Sequence, residues 1–68
     1  MTPAQQAYIE RRLIDIDQLS EFELYRAEDD IRGALKLLLD TQELTTAAFM
    51  AWDKKLTDRI DKRAKEIT

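Results

Sequence analysis

Residues 20–23, with the sequence Ser-Glu-Phe-Glu, form a capping-box pattern, which constrains the fold of this 68-residue chain more than any other local feature. In such a box the Ser20 hydroxyl and the Glu23 carboxylate each accept a hydrogen bond from the other residue's backbone N–H. Leu19 and Leu24 flank the box where a hydrophobic staple needs apolar side chains. A helix is therefore predicted to begin directly after Ser20.

The apolar residues that follow this start repeat at helical spacing. They are separated by steps of three, four, three and four residues, which is the a/d pattern of a helix packed along a neighbouring helix. The pattern predicts a helix over 21–40. Its apolar stripe consists of Leu24, Ala27, Ile31, Ala34 and Leu38.

Gly33 is the only glycine of the chain and lies inside this predicted helix. A glycine in a helix interior lowers helix stability by about 1 kcal/mol relative to alanine. The distance between packed helices depends on the size of the side chains at their contact. We therefore expect Gly33, together with Ala27 and Ala34, to let a neighbouring helix approach closely.

A first helix is predicted over 3–18. Thr2 can cap it, and Pro3 occupies the first turn, where no backbone N–H is needed. Residues 13–17 also alternate briefly like a strand, but no second strand-like run is available to pair with them. The helical spacing is carried by Tyr8, Ile9, Leu13 and Ile16.

A third helix is predicted over 46–67, with Thr45 as its cap. The polar connection 41–43 before it is short, which favours antiparallel packing of the two flanking helices. One apolar stripe runs along this third helix, formed by Phe49, Trp52, Leu56, Ile60, Ala64 and Ile67.

These helices predict an all-α fold with a single helical domain over 1–68. The second and third helices are expected to form a long antiparallel hairpin, and the shorter N-terminal helix is expected to pack against it. A chain of this length buries only about 60% of its unfolded surface. A protein partner or a second copy of the chain is therefore expected.

The composition argues against catalysis. The chain has no Cys and no His, and Ser20 is its only serine, so disulfides, zinc sites of the usual kind and Ser-His catalysis are excluded. The acidic run Glu28-Asp29-Asp30 does not suit a metal site, because consecutive helical residues point about 100° apart. We expect no enzyme activity, no cofactor and no metal.

Charge and hydropathy argue against nucleic acids and membranes as direct partners. The net charge is −3, whereas nucleic-acid binders usually carry a basic excess. Residues 46–52 of the third helix contain no Arg, Lys, Asn or Gln to contact a base edge, as the second helix of a helix-turn-helix motif would. No apolar run is long enough to span a bilayer, and no secretion signal is evident. A cytoplasmic location is expected.

Two sets of residues are candidate partner contacts. Large apolar side chains remain outside the three stripes, and their number predicts self-association, most simply a homodimer. The second helix also carries six acidic and three basic residues, so its acidic face is a candidate contact for a basic protein surface, with an ordinary solvated face as the alternative. The apolar candidates are Phe22, Tyr25, Leu37 and Leu39, and the acidic candidates are Glu21, Glu28, Asp29 and Asp30. Met50 also lies outside the stripes but is not a candidate contact.

Two family resemblances involve the predicted hairpin. Residues 37–45, continuing to Phe49 and Leu56, resemble the hairpin of SHOCT-type helical modules, which associate with other proteins. The same region is similar to the Hha/YmoA group of small helical regulators, which act by binding a nucleoid protein. The second resemblance needs a one-residue gap, and Lys54 replaces the Arg or His expected next to Asp53.

The sequence predicts a small, non-catalytic protein-interaction module that acts as a regulator, adaptor or inhibitor by docking a helix face onto a protein partner. Proteins of this size and composition are common among accessory proteins of bacteria, phages and plasmids. The alternative is a regulator of a nucleic-acid-bound complex that acts through a nucleoid-type protein, or a weak direct nucleic-acid binder.

Overall fold

The computed structural model describes residues 1–68 and contains three α-helices. They are α1 (Pro3–Asp15), α2 (Glu21–Asp40) and α3 (Thr46–Ile67), with a 3-10 turn, Ile16–Gln18, between α1 and α2. Helices α2 and α3 pack closely as an antiparallel hairpin, and α1 packs against them. The predicted all-α architecture is confirmed.

The predicted bounds of α2 and α3 are confirmed, whereas the first helix is shorter than predicted. Its α-helical part ends at Asp15, and the next three residues tighten into a 3-10 turn that Leu19 closes by donating its N–H to the Ile16 carbonyl at 3.1 Å. This turn brings the chain round to the start of α2. It also buries Ile16 completely, which explains why Ile16 follows the apolar spacing of a helix that it does not continue.

All three helices begin at the predicted caps. At α2, the Ser20 hydroxyl oxygen accepts the Glu23 N–H at 3.4 Å, while the Glu23 carboxylate accepts the Ser20 N–H at 3.3 Å and the Ser20 hydroxyl at 2.8 Å. Thr2 and Gln5 form a second capping box at α1. Thr45 accepts the N–H of the third α3 residue at 3.1 Å. These side chains satisfy N–H groups that no helical carbonyl can reach.

The connection between α2 and α3 is a tight turn closed by backbone hydrogen bonds. Glu43 donates its N–H to the Leu38 carbonyl at 2.9 Å, and Gln42 adopts a left-handed conformation with φ of 63°. The turn also contacts the start of α1. The Met1 amino group donates to the Glu43 carbonyl, and the Gln5 amide donates to the Glu43 carboxylate at 3.4 Å. The end of the hairpin thereby holds the first turn of α1 in place.

The core lies where the three helices meet and is entirely apolar. No polar or charged residue is buried, so the core contains no unpaired polar group. None of the helices combines the length and the apolar character needed to cross a bilayer. The eleven buried residues are Ile9, Leu13, Ile16, Leu24, Ala27, Ile31, Leu35, Leu38, Leu44, Leu56 and Ile60.

Two predictions about the α2 stripe are wrong. Leu35, which the a/d pattern left out, is fully buried, whereas Ala34 is only half-buried. Gly33 is exposed, and a Cβ atom added to it would meet no other atom within 4 Å. No helix of this chain therefore makes a close contact at Gly33.

Replacing Ser20 with Ala should lower the free energy of unfolding by about 0.5 to 2 kcal/mol, because the first turn of α2 loses its acceptor. Urea denaturation followed by circular dichroism measures this difference. The control is Ser20→Asp, which keeps an acceptor oxygen and should cost less. Equal stability of wild type and Ser20→Ala would show that the cap does not stabilise α2.

The capping box also makes stability depend on pH. Hydrogen bonds from the Ser20 side chain and backbone lower the pKa of Glu23. A carboxylate whose pKa is lower in the folded state stabilises the fold above its unfolded pKa, about 4.3 for Glu, and loses this contribution as pH falls through the lower folded value. NMR titration should place the Glu23 pKa below the ordinary value of a glutamate in wild type. In Ser20→Ala the Glu23 pKa should move back towards its ordinary value.

Candidate protein-interaction surface

Six large apolar side chains are more than half exposed. Three of the predicted apolar contacts belong to this set: Phe22 is 89% exposed, Leu37 63% and Tyr25 54%. Leu39, by contrast, is half-buried and offers less surface than predicted. Tyr8 was predicted to lie in the apolar stripe of α1 but is exposed, and the exposed Ile14 was not predicted as a contact. The full set is Tyr8, Ile14, Phe22, Tyr25, Leu37 and Met50.

Tyr8 and Leu37 lie on opposite sides of an apolar groove between α1 and α2, with a volume of about 330 Å³. The groove exists because Ala4 and Ala34, with their short side chains, occupy positions where α1 and α2 face each other. Gln5 is its only polar lining residue. The remaining lining residues are the core residues Ile9 and Leu38.

The Tyr8 side chain is held in place at the edge of this groove by Arg12, one helical turn further along α1. Arg12 Nη1 donates to the Tyr8 hydroxyl at 2.9 Å, and its guanidinium lies 5.8 Å from the centre of the Tyr8 ring. A cation at this distance is attracted by the electrons of an aromatic ring. These contacts favour the Tyr8 orientation that forms the groove wall.

Phe22 lies at the opposite end of α2 from Leu37, outside the apolar groove. It lines a second, polar depression together with Leu19 and charged residues of α1 and α2. Since fifteen residues of helix separate Phe22 from Leu37, the two side chains are about 22 Å apart along the axis. The structure therefore does not bring the predicted apolar contacts together into one patch.

The four acidic candidates on α2 also fall into two groups. Glu21, Asp29 and Asp30 are exposed, as the hypothesis of an acidic contact requires. Glu28 is half-buried and bonded to Arg32 at 3.0 Å, one helical turn away. Glu28 therefore belongs to an ion-pair network within the chain and is less accessible to a partner than the other three acidic candidates.

Arg32 is the centre of that network, which joins α2 to α3. Its Nε donates to the Asp53 carboxylate at 2.7 Å, and its Nη2 donates to the Thr57 hydroxyl at 3.1 Å. The pKa of Arg32 is raised, and the hydrogen bond to Asp53 is the largest cause. Partial burial acts in the opposite direction and lowers the pKa, while the hydrogen bond to Glu28 raises it further. The guanidinium thus stays charged and holds the two arms of the hairpin in register.

Several basic side chains of α3 are likewise engaged within the chain. Arg63 Nε donates to the Leu19 carbonyl at 2.9 Å, and Arg59 Nη1 lies 3.4 Å from both the Leu13 carbonyl and the Asp17 carboxylate. These bonds attach the end of α1 and the following turn to α3. They also direct two of the six basic residues of α3 towards the protein interior rather than towards an external anion.

No protein-family model, no curated protein and no solved structure matches this chain. The resemblances to SHOCT-type modules and to the Hha/YmoA group rest on the residues named for them alone. Function must therefore be inferred from the geometry of the surface.

A double-mutant cycle between Arg32 and Asp53, using Arg32→Met and Asp53→Asn, should give a coupling energy of about 1 kcal/mol, since both side chains are only partly exposed. Urea denaturation of the four proteins measures it. The exposed pair Lys54–Asp58 is the control and should couple by about 0.3 to 0.5 kcal/mol. A coupling at Arg32–Asp53 no larger than in this control would contradict a stabilising role for the network.

Proposed function

We propose that this protein is a non-catalytic interaction module that acts as a cytoplasmic regulator, adaptor or inhibitor. It docks onto a protein partner by accepting a large apolar side chain from an amphipathic helix of that partner into the groove between α1 and α2. The observation that carries this proposal is the groove itself, with Tyr8 and Leu37 more than half exposed around an almost wholly apolar lining. Exposed apolar surface of this kind is typical of docking sites.

An amphipathic helix suits the shape and chemistry of the groove. Two packed helices leave a depression parallel to their axes, and a third helix can place apolar side chains along it at intervals of three and four residues. Leu37 and Tyr8 would then be buried against the incoming side chain. Burying apolar area stabilises a complex by roughly 25 cal/mol per Å² before the costs of association.

The alternative, action on nucleic acid directly or through a nucleoid-type protein, has less support. Arg59 and Arg63 bond to backbone carbonyls, and Lys54 pairs with Asp58 at 3.1 Å. Half of the six basic residues of α3 are therefore engaged within the chain, which leaves Lys55, Lys62 and Lys65 to neutralise phosphates. Direct nucleic-acid binding would appear as an affinity that falls steeply with salt.

Leu37→Asp should abolish capture of the partner, because a charge in the groove cannot be buried against an apolar side chain. The measurement is affinity purification from cells that encode the protein, with immobilised wild type and variants compared side by side by mass spectrometry. Tyr8→Asp should lose the same proteins as Leu37→Asp. The purified partner is then assayed with and without this protein to separate inhibition from bridging.

The matched control is Met50→Asp. The exposed fraction of Met50, 66%, is similar to that of Leu37, but Met50 does not line the groove. It should retain the proteins that wild type captures. If Met50→Asp and Leu37→Asp capture the same proteins as wild type, the groove is not the docking site. Circular dichroism confirms that each variant remains helical.

A further inference from the structure

The outer face of α2, centred on the exposed Gly33, carries a regular arrangement of charge. At the edge of this face, Arg26 lines the polar depression that also contains Arg12 and Asp15 of α1. Arg26, Gly33 and Asp40 follow one another at intervals of seven residues, so they lie in one row along the helix. Asp29 and Lys36 form a parallel row with the same interval. In both rows a charge on one side of Gly33 is matched by the opposite charge on the other side.

These four charged side chains have no partners within the chain. All of them are exposed, and none takes part in the six ion pairs or in any side-chain hydrogen bond. Arg32, on the α3 side of the same helix, contacts Glu28, Asp53 and Thr57. The outer face of α2 thus differs from the inner faces in leaving its charges available.

Gly33 lies at the centre of this arrangement. It lowers the stability of α2, yet no residue of its own chain needs the space that a missing Cβ leaves. A second helix could approach the α2 backbone closely at this point, because no side chain would separate the two helices. The position therefore suits a helix crossing with another molecule.

The charge pattern on α2 is complementary to that of a second, antiparallel copy of the same helix. When two copies of one helix pack antiparallel about a two-fold axis, a residue before the centre faces one at about the same distance behind it, on the same side of the pair. With the axis near Gly33, Arg26, seven residues before it, faces Asp40 of the partner subunit, seven residues after it. Asp29, four residues before Gly33, faces Lys36 of the partner subunit, three residues after it. The symmetry repeats each contact, which gives four ion pairs of opposite sign.

We propose that the protein forms a homodimer in which the α2 helices of two copies pack antiparallel on their outer faces and cross at Gly33. This interface also accounts for Phe22, whose 89% exposure is otherwise unexplained. Phe22 lies eleven residues before Gly33 and therefore meets the partner's α2–α3 turn. Leu37, one helical turn after Gly33, lies where this interface adjoins the apolar groove. The proposal does not rest on the proposed function.

Charge reversal on each side of Gly33 provides the test. In the Arg26→Glu dimer, the new glutamate at position 26 faces Asp40 of the partner subunit, so two acid–acid contacts replace two ion pairs. In the Asp40→Arg dimer, Arg26 faces the new arginine at position 40, so two base–base contacts replace them. Each variant should raise the dimer dissociation constant at least about tenfold. In an equimolar mixture of the two variants, every contact of the mixed dimer is again an acid–base pair, so mixing should restore association.

Sedimentation equilibrium over concentrations up to roughly 100 µM distinguishes the 8.0 kDa chain from its dimer. Dimeric wild type, weakened single variants and a restored mixture would support the proposal. A monomeric wild type, single variants that dimerise like wild type, or a mixture that stays monomeric would each overturn it. Capture of a partner through the apolar groove is tested separately by Tyr8→Asp, because Tyr8 lies on α1 and not on the α2 face that carries Gly33.

Gly33→Arg is a second variant that tests the crossing point without disturbing the fold. Since the space around Gly33 is open, the variant should fold and gain helix stability, while its side chain prevents close approach. It should also weaken the dimer at least about tenfold. Ile14→Asp, which alters an exposed apolar residue on α1, is the control and should dimerise like wild type.

Discussion

The burial of one apolar seam between α2 and α3 supports the rest of this structure. Leu24, Leu35 and Leu56 are completely buried, and Ile31 and Ile60 are almost so. Without this seam each helix would expose a continuous apolar stripe, and helices in proteins owe most of their stability to the packing of such a face. Because the core contains no polar group, no hydrogen bond selects one arrangement within it. The caps and the Arg32 network around the core therefore determine where each helix begins and how α2 is aligned with α3.

Most of the fold was predictable because its signals are local. Caps at Thr2, Ser20 and Thr45 depend on residues three positions apart, and the sequence shows them directly. The choice of Ala34 over Leu35 was wrong for a reason that is not local. The a/d pattern assumes one neighbouring helix, whereas α2 packs against two, so its buried face widens to include Leu35.

The candidate surface was less predictable than the fold. Exposure of Phe22 and Leu37 followed from their positions outside the stripe, but their distance apart depends on where α1 lies. The involvement of Glu28 in the hairpin was hidden, because its role depends on Arg32 reaching Asp53, twenty-one residues away. An unpaired charge and an internally paired one look alike in a sequence. The expected close approach at Gly33 was wrong within the chain, because Gly33 lies on the exposed side of α2, away from the helix that packs on it.

The attachment of α1 has a consequence for binding thermodynamics. Contacts at its two ends, with Glu43 of the turn and with Arg59 and Arg63 of α3, hold it against the hairpin. The groove has one wall on α1 and the other on α2, so it is present only while α1 is docked. Undocking of α1 and occupancy of the groove are therefore mutually exclusive, and a ligand in the groove would suppress local unfolding of α1. The rate of hydrogen exchange of α1 amides should therefore fall as a larger fraction of the grooves is occupied by ligand.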